Sequence, residues 1–108
     1  MAWTGENPNP ITATKPAPRK TPDDPVVLAE QGVGLRALKR YGRAVDAFND
    51  SLELSPDDPA ILAARGLTLA LAGRPMDALV DFNRSLEILP NQPTTLNDRG
   101  VACRELGR

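Results

Sequence analysis

Histidine is absent from this 108-residue chain, and cysteine occurs once. The commonest general base and the usual zinc ligand are therefore missing, and a single cysteine builds neither an internal disulfide nor a metal site by itself. No apolar run is long enough to cross a membrane, and the first residues do not read as a secretory signal. Charge of one sign is not in excess. The 13 basic residues are scattered among 14 acidic ones for a net charge of −1, so the basic face that a nucleic-acid binder needs is missing. No glycine-rich phosphate loop follows a strand-like segment. These absences point away from an enzyme, a cofactor or metal site, a nucleic-acid partner and a membrane partner. The expected compartment is the reducing cytoplasm. The length suits one small domain with a limited core.

What is present is a repeat. Asp23-Asp24-Pro25 returns 34 residues later as Asp57-Asp58-Pro59 and again as Asn91-Gln92-Pro93. In the same register, the stretch from Asn49 to Pro56 returns as Asn83 to Pro90. A period of this length marks stacked supersecondary units, which bind through a surface more often than they catalyse. Residues 1–24 lie outside the pattern: Pro8, Pro10, Pro16, Pro18 and Pro22 punctuate a segment with few apolar groups, read as a disordered or polyproline-like arm. Its larger apolar side chains, Trp3 and Ile11, either belong to a plain linker or dock on the domain.

From Pro25 onward the apolar spacing is helical. Asp24, Asp58 and the weaker Gln92 stand at cap positions ahead of Pro25, Pro59 and Pro93, where a carboxylate accepts from orphan first-turn amides and proline forfeits no helical bond. Pro56 and Pro90 stop the second helix of each unit, and Gly73 and Gly107 mark tight turns. The spacing predicts helices near 26–38, 42–54, 60–72, 76–88 and 94–106. The paired aspartates are thus explained by capping rather than by metal binding. The sequons at Asn49 and Asn83 fall inside predicted helices and read as products of the repeat.

These features resemble the tetratricopeptide repeat family, whose 34-residue helix-turn-helix units pack through small residues. The family's small position matches Gly32, Gly66 and Gly100, its alanine Ala44 and Ala78, its aromatic Phe48 and Phe82, and its proline Pro56 and Pro90. Tyr41 fits the aromatic near the turn, where the second unit has Pro75. Departures are Leu28, Leu62 and Leu96 in place of a bulkier residue, Ser51 and Ser85 in place of alanine, and polar Gln31, Arg65 and Arg99 where leucine is common. The resemblance covers residues 25–108 and implies an all-α solenoid of antiparallel helix pairs, with repeat 1 at 25–58, repeat 2 at 59–92 and a partial repeat 3 at 93–108. Physical chemistry agrees: a glycine inside a helix costs about 1 kcal/mol relative to alanine, so recurring glycines call for close helix approach, with Phe48 and Phe82 filling the space beside them. Repeat 2 has Arg65 on its first helix and Asp81 on its second where repeat 1 has neutral Gln31 and Ala47, and an Arg65–Asp81 ion pair would account for both.

The resemblance implies a protein-interaction adaptor with a concave groove lined by the first helices. The groove candidates are Glu30, Val33 and Arg36 from the first helix, Ala63, Ala64, Leu67, Ala70 and Leu71 from the third, and Asn97, Asp98, Val101 and Arg104 from the fifth. Val26, Ala29, Ala60 and Thr94 would line the same groove. Relatives that clamp the carboxylate of chaperone tails use lysine, arginine and asparagine at positions that here hold Ala29, Val33, Ala64, Thr94 and Asp98, so a chaperone-tail clamp is not expected. Helix 60–72 is apolar nearly all round. Two explanations stand: a central helix packed between neighbours, or a receptor for an apolar peptide or helix. The last predicted helix keeps Gly100 and Cys103, the pattern of a helix awaiting cover, which admits a self-assembly module or a regulatory fragment of a larger enzyme as alternatives. Cys103 is read as part of that helix's inward face rather than as a reactive thiol.

Overall fold

The computed structural model describes residues 24–107, which form five α-helices and, among the described residues, no strand. They are α1 (Pro25–Ala37), α2 (Tyr41–Leu54), α3 (Pro59–Leu71), α4 (Pro75–Ile88) and α5 (Pro93–Glu105). Each predicted boundary falls within one residue of the observed one. The arm predicted for residues 1–24, with Trp3 and Ile11, lies outside the described residues except for Asp24.

Local chemistry explains the helix starts. Asp24 Oδ1 accepts from the Val26 amide at 2.9 Å, and Asp58 Oδ1 accepts from Ala60 at 2.9 Å and Ile61 at 3.4 Å. These bonds satisfy first-turn donors that no helix can pair internally. Gln92, expected to cap α5, makes no such bond. Its longer side chain turns back instead: Nε2 donates to the carbonyls of Ser85 at 3.1 Å and Leu89 at 2.7 Å, while Oε1 accepts from the Thr95 hydroxyl at 3.0 Å. Gln92 thus ties the end of α4 to the start of α5. Gly73 and Gly107 adopt φ of +81° and +77° at the turns after α3 and α5, a conformation that carries no penalty without a Cβ. The equivalent turn after α1 uses Lys39 at φ +62°.

Helices pack in two layers. α1 pairs with α2 and α3 with α4, while α3 adjoins α1 and α5 along one side. Ser51, near the end of α2, donates its hydroxyl to the Pro25 carbonyl at the start of α1 at 2.7 Å, so the two helices are antiparallel. Ser85 repeats the bond to Pro59 at 2.7 Å in the second unit. Both serines are fully buried, which explains why a hydroxyl replaces the methyl expected there.

The core is two clusters, each of which reaches across the boundary into the next unit. Ala44, Phe48, Leu52, Ile61 and Leu62 form the first, and Leu69, Ala78, Phe82 and Ala102 the second. Each phenylalanine ring lies on the helical glycine of its own unit: a Cβ on Gly32 would come within 2.7 Å of Phe48, and one on Gly66 within 2.7 Å of Phe82. Gly100 departs from the expectation of close approach. Among the described residues nothing lies within 4 Å of where its Cβ would stand.

Candidate binding groove

The side made by α1, α3 and α5 contains a shallow pocket of about 340 Å³ between α1 and α3. Val26, Ala29, Glu30 and Val33 line it from α1, with Asp58, Ala60 and Ile61 facing them. Val26 and Val33 are 61% and 43% exposed, a large apolar area for one helix of so small a domain. The pocket exists because α1 and α3 meet over only a short stretch, each being held chiefly by its second helix. Glu30 is exposed on the lining, and Asp58 is occupied by the first-turn amides of α3.

The groove candidates divide once burial is known. Glu30 and Val33 line the pocket, whereas Arg36 is half-buried and does not. Ala64 packs against the first core cluster, and Leu67 and Ala70 against the second, so these three serve the core at least in part. Ala63 is half-buried and Leu71 exposed. On α5, Asn97 and Arg104 are exposed, and Asp98 and Val101 half-buried. Ile61 and Asp58 contribute to the pocket without having been read as groove positions. The cap role of Asp58, which places its carboxylate at the mouth of the α1–α3 crevice, was the available signal.

The opposite layer carries a polar cleft of about 410 Å³ bounded by α2, α3 and α4. At its floor Arg65 donates from Nε to Asp81 Oδ2 and from Nη2 to Oδ1, both at 2.7 Å, as anticipated, and from Nη1 to Asn49 Oδ1 at 2.9 Å. The Arg65 guanidinium is held above its ordinary pKa, first by the hydrogen bond to Asp81 and also by that carboxylate's charge, against burial that acts the other way. Arg65 is thus a structural cross-brace. Asn49, which lies in a sequon motif, is committed to it. Among the described residues no group of three His, Cys, Asp or Glu side chains is placed to hold a metal ion, and no helix is long and apolar enough to cross a membrane.

No family model matches the sequence, and no curated protein matches it. Solved structures do. The first TPR of Spaghetti (RPAP3), bound to HSP90 peptide SRMEEVD, superposes with a TM-score of 0.77 at 22% identity over 81% of this chain and 69% of that one. The second TPR of Spaghetti (RPAP3), bound to the same peptide, gives 0.75 at 16% identity over 80% of each chain. The Sgt2 TPR domain from Aspergillus fumigatus gives 0.75 at 23% identity over 84% of this chain and 62% of that one. Five helices in the same arrangement, with glycine against phenylalanine in each complete unit, are the fold of a tetratricopeptide repeat domain.

Proposed function

We propose that the chain is a protein-interaction adaptor that takes an apolar peptide or helix of a protein partner into the crevice between α1 and α3. The observation that carries this is the pairing of exposed Val26 and Val33 over a pocket whose remaining walls are Ala29, Ala60 and Ile61, with Glu30 and Asp58 as its polar lining. Two structures of the same fold are complexes with a peptide, which supports binding as the use of such a surface. The recognition chemistry differs from that of a carboxylate clamp. Ala29, Val33 and Ala64 offer no charge where the family's clamps place cations, Thr94 offers a hydroxyl, and Asp98 would repel a carboxylate. Affinity then comes from apolar burial at about 25 cal/mol per Å², with Glu30 and Arg36 at the edges setting orientation.

Isotope-labelled chain titrated with SRMEEVD and with amphipathic helical peptides carrying i, i+3, i+4, i+7 apolar anchors tests this. The amphipathic peptides are expected to shift the Val26, Ala29, Val33 and Ala60 amides, and SRMEEVD to leave them in place. Val33→Asp, at an exposed site, should remove the shifts while the far-ultraviolet dichroism is unchanged. Micromolar binding of SRMEEVD in this crevice, or amphipathic peptides that leave α1 and α3 untouched, would refute the reading.

A further inference from the structure

The α1–α3 crevice lies at the end of the molecule where the chain enters the fold. Its wall from α1 runs from Val26, the second residue of that helix, to Val33, and from the second unit it takes the cap and first turn of α3, Asp58, Ala60 and Ile61. Val26 and Val33 are seven residues apart, so at about 1.5 Å per residue the α1 wall is roughly 10 Å long. The charged side chains on the lining, Glu30 and Asp58, are both carboxylates. Among the described residues Glu30 has no cation within ion-pair distance. Its neighbours on the helix surface, Val26, Val27, Val33 and Gly34, supply none.

A short way ahead of this slot in the sequence stands a segment of opposite charge and matching length. No acidic residue occurs from Asn7 to Pro22, and Lys15, Arg19 and Lys20 flank Pro16-Ala17-Pro18. We propose that Pro16-Ala17-Pro18 of the same molecule occupies the α1–α3 crevice in polyproline II form, its flanking cations meeting Glu30 and Asp58, so that a partner binds by displacing the chain's own arm. The inference rests on reading this crevice as the chain's binding surface. Three residues in that form span about 9 Å, the length of the slot. Pro18 stands six residues before Asp24, and Pro22-Asp23 is turn-forming, so the arm can double back over the start of α1. Proline carries no N–H, so setting two of them among Val26, Ala29, Val33 and Ile61 strands no amide donor at either. Capture of a polyproline II segment costs little ordering, because proline-rich chains favour that form when free. A tether this short gives an effective concentration of about millimolar, so weak contacts suffice. The arm of a second copy carries the same residues without that advantage.

Amide spectra of the isotope-labelled full chain, compared with those of an Ala17→Asp variant and of a Lys15→Glu/Arg19→Glu/Lys20→Glu variant, test this. Every substitution lies ahead of α1 in the sequence. Both variants are expected to shift the Val26, Ala29, Glu30, Val33, Ala60 and Ile61 amides and to leave those of α4 and α5 in place. A synthetic peptide with the sequence of Ile11–Lys20, added at millimolar concentration to either variant, should return the crevice amides saturably toward their wild-type positions. The amphipathic peptides that probe the adaptor reading should bind both variants about threefold or more tightly than wild type, since they no longer compete with the arm. Crevice amides indifferent to both variants overturn the proposal. So do crevice shifts that grow with chain concentration alongside the sedimenting mass, which would make the occupant a second copy's arm. Amphipathic peptides that bind wild type and variants alike overturn this inference and leave the adaptor reading standing. Arm-dependent crevice shifts without amphipathic peptide bound to either variant refute the adaptor reading and uphold occupancy by the arm.

Discussion

Gly66 and Phe82 touch so closely that a single methyl group would not fit between them: a Cβ on Gly66 would stand 2.7 Å from the ring, with the Asp81 Cβ at 3.2 Å. Because Phe82 is fully buried, the ring has nowhere to retreat. Gly66→Ala is therefore expected to destabilise the domain by about 1–3 kcal/mol despite the better helix propensity of alanine. At Gly100 the same substitution meets open space and should stabilise by about 0.5–1 kcal/mol. Opposite signs at equivalent positions, read by urea unfolding, are the expected result.

The Arg65–Asp81 brace is asymmetric. The Asp81 side chain is 4% exposed and that of Arg65 28%. Removing the arginine strands a buried carboxylate, whereas removing the carboxylate leaves a guanidinium that keeps Asn49 and can reach water. Arg65→Met should cost about 2–4 kcal/mol and Asp81→Asn about 1–2 kcal/mol. The raised pKa of Arg65 means its contribution is complete at every pH below the arginine range and fades only as pH climbs through the folded value. Chemical unfolding of the wild type and the two variants should hence show the same difference at pH 7 and pH 9.

Ser51 and Ser85 each close one unit by donating to the carbonyl at the start of the first helix, but Ser85 also bonds Gln92, accepting from its Nε2 at 2.9 Å. Ser51→Ala should cost about 1 kcal/mol, the net worth of one buried hydrogen bond. Ser85→Ala should cost more and should also raise amide exchange at the start of α5, since it strips a partner from the α4–α5 tie. Hydrogen exchange at Leu96 and Asn97 distinguishes the two serines.

Lys39 holds φ +62° where the later turns have Gly73 and Gly107. A residue with a Cβ pays about 1 kcal/mol or more for that backbone, partly offset by the greater chain entropy that glycine loses on folding. Lys39→Gly should accordingly raise the melting temperature by a few degrees, with no effect on peptide binding, as thermal unfolding followed by circular dichroism will show.

The sequence by itself determined the number of helices, their ends and their pairing into units, because caps, prolines and turn glycines act within four or five residues of where they stand. The 34-residue register placed Phe48 against Gly32 and Phe82 against Gly66, and it singled out Arg65 with Asp81 through their joint departure from the first unit. Only the tertiary structure decided the rest. Whether Ala64, Leu67 and Ala70 face a ligand or a core depends on the angle at which helices cross, which no local spacing records. The jobs of Asn49, Ser51 and Gln92 arise from side chains meeting partners on other helices, up to 26 residues away. Gly100 makes the division plainest: in sequence it equals Gly32 and Gly66, and in space it differs from both, since a close contact requires a second surface and α5 has none there among the described residues.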